Sequence, residues 1–149
     1  MIDIESYVFD TVYNQLHQTY PNANITAGYD EKFAVFPTVI VRETGNVPYQ
    51  QGNTDDCAEN YTRVTYEIEV ESDLEETGRS QCKEILDAAD TIMQSMKFRR
   101  LHKSRPLNID RTVWRQYTRY EAIVGKPTVT VTGEGNEQVT TYTYQMYRR

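Results

Sequence analysis

Half of the basic residues of this chain fall within one short segment, Lys97 to Arg119, which reads KFRRLHKSRPLNIDRTVWRQYTR. The segment holds eight of the sixteen Lys and Arg residues against one acid, so it carries +7, and the rest of a chain whose total is −6 carries −13. Basic side chains can bind phosphates, and the aromatic rings among them, Phe98, Trp114 and Tyr117, can stack on bases. The segment is therefore a candidate nucleic-acid surface.

Two observations weaken the nucleic-acid interpretation of this segment. Phosphate-binding domains usually have a net basic field, whereas the surroundings here are strongly acidic. The segment also lacks the motifs of an aromatic ribonucleoprotein strand, a KH loop or a recognition helix. A nucleic-acid-binding module that uses 97–119 stays open as a minor alternative.

Two oppositely charged stripes form a second pattern. Glu67, Glu69 and Glu71 alternate with apolar residues, and Arg115 and Arg119 share one face of a later strand. If the two strands are neighbours, each cross-strand pair contributes about 0.2–1 kcal/mol. If they belong to different subunits, the stripes determine orientation and partner choice. Same-face residues lie about 7 Å apart in a strand, and no loop carbonyls accompany these glutamates, so we expect no metal site.

Residues for catalysis are few. His17 and His102 are the only histidines, and neither stands at metal-ligand spacing to a cysteine or a carboxylate pair. Asp55 and Asp56, beside Cys57, could serve as general acid and base, but no apolar run flanks them to raise a pKa. A small hydrolase built on this loop is the weakest hypothesis. We expect no enzyme activity and no cofactor.

Helical periodicity marks two segments. The first helix is predicted over 3–18, because apolar residues recur there at steps of four: Ile4, Val8, Val12 and Leu16. Ser72 and Glu75 have capping-box spacing, which predicts a second helix from about Leu74 to Met96. The expected buried residues of that helix are Cys82, Ile85, Ala89, Ile92 or Met93, and Met96.

Alternation predicts strands in the rest of the chain. The segments 33–43, 62–71 and 111–125 have strand patterns, and Pro37 confines the start of the first to an edge or a bulge. A glycine-bearing turn predicts a C-terminal β-hairpin over about 127–148.

The segment 44–60 has neither a helical nor a strand period and is long for a loop in a compact domain. Loops of this length tend to be functional or mobile, and we expect a mobile loop there. The order of elements predicts a single α+β domain over 1–149, with a mostly antiparallel sheet and two main helices packed on one face.

Composition sets further bounds. A chain of 149 residues can bury a substantial core, and twelve tyrosines against four phenylalanines favour a sheet protein with contact surfaces. The chain has two cysteines and no apolar run of membrane-spanning length, and its start, MIDIESY, shows no signal-peptide features. We therefore expect a soluble protein of the reducing cytosol.

The order and spacing of several short motifs resemble the tail terminator proteins of long-tailed bacteriophages and prophages. The motifs are YEIEVES, ILDAADTIM, FRR, PLNID and RYEAIVG, with YRR at the end, and the resemblance covers about 36–149. It implies a structural, non-catalytic subunit that forms a ring on the head-proximal end of the tail tube. There it stops tube polymerisation and presents a docking surface for the head connector.

The resemblance also implies partners and a location. The ring is expected to be a homo-hexamer, built from a subunit that can be a monomer before assembly, and DNA passes through it without sequence-specific binding. The partners are the tail tube protein and the head connector or completion protein, with no membrane. Assembly occurs in the cytoplasm of the host bacterium, and the mature location is the virion tail. A head-completion or other neck protein is the nearest alternative.

Ten residues are candidate subunit or partner contacts on these grounds. Separated acidic and basic stripes supply the two different patches that a closed ring requires. The resemblance implies that structural or subunit-contact residues lie at Arg99, Arg100, Arg119, Tyr120 and Glu121. It makes the 44–60 loop a candidate contact with neighbouring ring or tube proteins. The candidates are Glu67, Glu69, Glu71, Arg99, Arg100, Arg115, Arg119, Tyr49, Asp55 and Asp56.

Overall fold

The computed structural model of the chain describes residues 1–28, 35–49, 60–110 and 112–147. The elements in these ranges follow one another as α1 (Glu5–Thr19), β1 (Asn24–Thr26), β2 (Thr38–Pro48), β3 (Tyr61–Ser72), α2 (Gly78–Ser95), β4 (Arg99–Lys103), β5 (Leu107–Asp110), β6 (Val113–Gly125), β7 (Thr128–Thr132), β8 (Val139–Thr143) and β9 (Met146–Tyr147). The predicted α+β class, with two helices and a mostly antiparallel sheet, is confirmed.

The main sheet is organised around two long strands, β3 and β6, which pair antiparallel along their whole length. On the other side of β3 lies β2, also antiparallel, and β1 adds a short parallel edge beyond it. The far edge of β6 pairs in succession with β5, β4 and β9. Each face of β3 is therefore flanked by side chains from β2 and β6.

Both helices pack on one face of this sheet. Helix α2 lies over β3 and β6, while α1 contacts α2 and β2. The apolar stripe predicted for α1 is buried, and α2 buries the predicted residues together with Leu86. The core also contains two tyrosines, Tyr66 and Tyr120, whose hydroxyls donate to Glu43 and Asp90, each at 2.9 Å. Burial raises the pKa of both phenols, so they stay neutral hydrogen-bond donors.

The second helix begins later than the capping-box pattern predicts. It starts at Gly78 after Thr77, and no side chain caps its first turn. Strand β3 continues through Ser72, whose hydroxyl donates to Gln81 Oε1 at 2.5 Å and accepts from the Leu74 amide at 3.4 Å. Ser72 therefore ends a strand instead of opening a helix, and the capping-box prediction was wrong.

The predicted loop over 44–60 is wrong in its first part, because β2 runs on to Pro48. A bulge between Glu43 and Gly45 shifts the register against β3, which removes the simple alternation that marks a strand. The Thr44 hydroxyl bonds to Thr65 Oγ1 across this bulge at 3.0 Å. Residues 50–59 lie outside the described ranges. The start of the predicted 33–43 strand also moves, to Thr38.

The predicted C-terminal hairpin is present as a separate two-stranded sheet of β7 and β8. The chain leaves the main sheet at the end of β6 and returns to it at β9, which pairs with β6. The Gly125 amide donates to the Gln145 carbonyl at 2.9 Å, so the two ends of the hairpin segment are held side by side.

We predict that Gly78→Ala destabilises the protein, because the first turn of α2 lies directly against Trp114. A Cβ at position 78 would lie 2.6 Å from Trp114 Cδ1 and 3.3 Å from Ser72 Oγ. Overpacking of this kind costs about 1–3 kcal/mol, which outweighs the gain of about 1 kcal/mol in helix propensity. The measurement is urea denaturation.

Gly28→Ala is the matched control for this substitution. A Cβ at position 28 would meet nothing within 4 Å, so its effect should stay within about 0.5 kcal/mol. Equal stability of the two variants would contradict the close contact between α2 and Trp114.

Candidate functional site

Five charged side chains meet on the face of the sheet opposite the helices. We call them the charged cluster: Arg42 on β2, Glu67 and Glu69 on β3, and Arg115 and Arg119 on β6. The strand register places Arg42 and Arg119 directly across from Glu67, one on each side. Because β3 lies between the other two strands, its glutamates receive cations from both neighbours.

The contacts within the charged cluster link the three strands. Arg119 Nε donates to Glu67 Oε2 at 2.9 Å, and Arg42 Nη2 donates to Glu67 Oε1. Arg42 Nη2 also lies 3.7 Å from Glu69 Oε2, and Arg115 forms an ion pair with Glu69. Arg42 thus joins the two glutamates, and the cluster is one connected network.

The glutamates of the charged cluster are almost completely buried, with Glu67 4% and Glu69 1% exposed. Burial by itself would raise the pKa of Glu67, but hydrogen bonds from Arg119 and Arg42 outweigh it and hold that pKa below its usual value. The neighbouring Glu71 shows the opposite behaviour, since burial and the charge of Glu69 raise its pKa. Glu67 is therefore a permanent anion at neutral pH.

Tyr117 completes this face of the sheet. Its ring lies opposite Glu69 in the strand register, and the guanidinium carbons of Arg115 and Arg119 lie 5.6 and 5.1 Å from its centroid. Cation–π contacts of this kind are worth about 0.5–1 kcal/mol at exposed positions. The ring of Tyr117 thus contacts both arginines that β6 contributes to the charged cluster.

A second set of ion pairs fastens the edge strand β4. Arg99 bonds to Glu121 at 2.6 Å, Arg100 to Asp90 of α2 at 3.0 Å, and Lys103 to Asp87 of α2 at 2.7 Å. Together with the charged cluster, these pairs engage five of the eight basic residues of 97–119 with carboxylates of the same chain. Those groups are occupied, which counts against a phosphate-binding surface.

The structure brings together four of the ten predicted contact residues, Glu67, Glu69, Arg115 and Arg119, within one chain. Glu71 lies beside them, opposite Arg115. The stripes are thus neighbours in one sheet, the first of the two arrangements that the sequence left open. Sequence reasoning missed Arg42, because nothing in the sequence reveals the register between β2 and β3.

The remaining candidates are separate from the charged cluster. Arg99 and Arg100 tie β4 to β6 and to α2, as described above. The ring of Tyr49 lies 5.4 Å from the Arg63 guanidinium carbon. Asp55 and Asp56 lie outside the described residues.

The described part of the chain offers little reactive chemistry. Burial raises the pKa of the Cys82 thiol to about 11, so the thiol stays protonated, and it donates to the Val70 carbonyl at 3.5 Å. No group of three or more His, Cys, Asp or Glu residues in the described ranges could hold a metal ion. The same ranges contain no helix long and apolar enough to cross a membrane.

Comparison with known proteins identifies no family for this chain. No protein-family model matches it. No curated protein matches its sequence either.

We predict that Glu67→Gln lowers the free energy of unfolding at pH 7 by about 3 kcal/mol, because it leaves two arginines without their buried anion. Glu71→Gln on the same strand is the control. It removes repulsion with Glu69, so stability should not fall. Urea denaturation measures both, and an equal loss in the two variants would contradict the assignment of the charged cluster.

The pH dependence of these variants should differ in sign. The folded-state pKa of Glu67 lies below 4.5, so its stabilisation is complete above pH 4.5 and is lost as the pH falls through the folded value. The deficit of Glu67→Gln relative to wild type should therefore shrink below pH 4.5. The folded pKa of Glu71 is raised, so its ionisation opposes folding as the pH rises.

Any gain from Glu71→Gln should thus be largest at pH 7 and vanish in acid. Denaturation curves from pH 7 to pH 3 test both trends. A deficit of Glu67→Gln that grows in acid would overturn the assignment for Glu67.

Proposed function

We propose that this chain is a structural assembly protein of a bacteriophage or prophage tail, namely a tail terminator. In this role, copies of the chain form a hexameric ring on the head-proximal end of the tail tube, stop its polymerisation and present a docking surface to the head connector. The observation that carries the proposal is the order and spacing of the motifs that resemble this family.

The positions of those motifs in the fold support the proposal. YEIEVES ends β3, ILDAADTIM lies in α2, FRR leads into β4, PLNID covers β5, and RYEAIVG ends β6. These segments contribute the central core, the glutamates of the charged cluster and the ion pairs of β4. The resemblance therefore concerns a framework of strands and one helix, as expected for a subunit that works by shape and contact.

The distribution of charged and apolar groups also supports a contact function. The arginines of the charged cluster and of β4 are paired inside the chain, whereas several valine and tyrosine side chains on β7 and β8 are exposed. Exposed apolar side chains that are grouped on one element are typical of protein contact surfaces. This pattern fits a protein whose partners are other proteins.

The net charge of −6 fits the passage of DNA through such a ring. Duplex DNA carries a dense negative charge, and proteins that hold it neutralise many phosphates with Lys and Arg. A subunit that has paired most cations of its basic segment internally has little to offer a phosphate backbone. In this proposal DNA slides through the ring without sequence-specific binding.

The proposal predicts that the purified chain stops the growth of tail tubes. When it is added to polymerising tube protein from the same phage, tube length should fall as its concentration rises. Electron microscopy should show a six-fold ring on one end of each tube. Asp10→Arg is a control, because Asp10 is exposed on α1, outside the motifs that resemble the family, and its substitution should leave capping intact.

Two other outcomes would identify different functions. A head-completion protein would bind isolated head connectors and leave the length of the tubes unchanged. A nucleic-acid-binding module would bind duplex DNA at low salt, with affinity that falls steeply as salt is added. Failure to bind either end of the tube would overturn the tail terminator proposal.

A further inference from the structure

The β7–β8 hairpin is not covered by any other element in the described part of the chain. All ten of its strand residues are exposed, including Val129, Val131, Val139 and Tyr142, each of which is more than half exposed. An isolated two-stranded hairpin is only marginally stable in water. A second surface that packs against it would stabilise it and bury its apolar side chains.

The tip of this hairpin is acidic. Glu134 immediately precedes a short 3₁₀ turn, Gly135–Glu137, which Glu137 ends, and both glutamates are exposed. Gly133 and Gly135 have φ of +98° and +62°, so the turn uses a backbone that other residues rarely adopt. Among the described residues, no cation forms a salt bridge with either carboxylate. The hairpin therefore presents two free negative charges at its end.

A cavity of about 480 Å³ lies beside the start of α2 and β5. We call it the Arg–Trp pocket, and it is lined by Arg79, Arg105, Pro106, Leu107, Asn108 and Trp114. Within the described ranges, neither Arg79 nor Arg105 forms an ion pair, in contrast to the arginines of the charged cluster and of β4. The pocket thus combines two available guanidinium groups with apolar and aromatic surface.

The hairpin and the Arg–Trp pocket lie at opposite ends of β6. Trp114 is near the beginning of this strand, and the hairpin leaves the sheet at its end, Gly125. Eleven residues of strand separate these positions by roughly 35 Å, at about 3.3 Å per residue. A contact between the two features would therefore join one copy to the next in a head-to-tail sense.

We propose that the hairpin of one subunit docks in the Arg–Trp pocket of a second copy of the same chain. The two glutamates of the hairpin tip pair with Arg79 and Arg105 of the partner subunit. The apolar side chains of the hairpin pack near Trp114 of the same pocket. The inference deepens the proposed function and rests on it, because it names the contact that would build the ring. The two patches differ, so the contact is heterologous and repeats until the ring closes.

A second copy is the occupant that the charges favour. Among the residues that the structure describes, the two acids of the hairpin tip and the two arginines of the pocket have no ion-pair partner, so each copy offers both halves in equal number. Carboxylate–guanidinium pairs can be bidentate, which adds geometric specificity. The contact leaves no excess charge at the interface and needs no further component.

The test uses reciprocal charge reversal in the full chain. The hairpin variant is Glu134→Arg/Glu137→Arg, and the pocket variant is Arg79→Glu/Arg105→Glu. Each should associate at least about 30-fold more weakly than wild type, as measured by sedimentation over a concentration series without tail tubes. An equal mixture of the two should regain association, because an arginine hairpin fits a glutamate pocket and the reverse also holds.

Asp10→Arg, at an exposed position of α1, controls for a change of net charge and should associate like wild type. If a reversal variant does not fold, the neutral pair Glu134→Gln/Glu137→Gln and Arg79→Gln/Arg105→Gln replaces it. Each neutral variant should then associate less than wild type. Association unchanged by neutralisation would overturn the inference.

The remaining outcomes separate this inference from the proposed function. Wild type that stays monomeric at millimolar concentration, or reversal variants that associate normally, would overturn the hairpin contact, while tube capping could still be observed. Variants that associate normally but no longer cap tubes would assign the hairpin to the tube protein and also overturn the inference. If wild type associates through the hairpin but does not cap tubes, the result counts against the proposed function and leaves the hairpin contact standing.

Discussion

The two buried carboxylates of β3 determine which strands can lie beside it. A buried anion without a partner is strongly destabilising, so Glu67 and Glu69 require cations at the positions that face them. Strand β2 supplies Arg42, and β6 supplies Arg115 and Arg119. A shift of one residue in either pairing would turn these arginines to the helix side and leave the glutamates unpaired. The charge pattern therefore specifies both the neighbours of β3 and their register.

The same requirement explains how an acidic chain uses its cations. The basic segment that suggests a nucleic-acid surface mostly serves the fold: it compensates buried glutamates on one face and fastens β4 to α2 on the other. Many of the ion-paired residues lie within the motifs that resemble the tail terminator family. The residues that carry the resemblance therefore also stabilise the fold. Arg79 and Arg105 remain at the surface among the described residues, next to Trp114. These two arginines are better placed to contact a partner than the arginines of the charged cluster.

The parts of the fold that depend on local patterns could be predicted from the sequence. The apolar stripe of α1, the alternation of β3 and the glycine turn of the hairpin each act over a few neighbouring residues. The parts that depend on contacts between distant segments could not. Arg42 joins the charged cluster only through the register of β2 against β3, and the bulge near Gly45 hides the second half of β2. The spacing of Ser72 and Glu75 is that of a capping box, but the Ser72 hydroxyl bonds to Gln81, which lies inside α2. Only the folded chain shows this contact.

The hairpin segment begins and ends at adjacent points of one strand, where Gly125 bonds to Gln145. The sheet therefore already holds the two ends of this segment together. Each doubling of the length of such a segment costs only about 0.6 kcal/mol in loop-closure entropy. Insertions, deletions and replacements between these two points are therefore expected to leave the core unchanged. The hairpin can change in length and sequence without a change in the strands on either side of it.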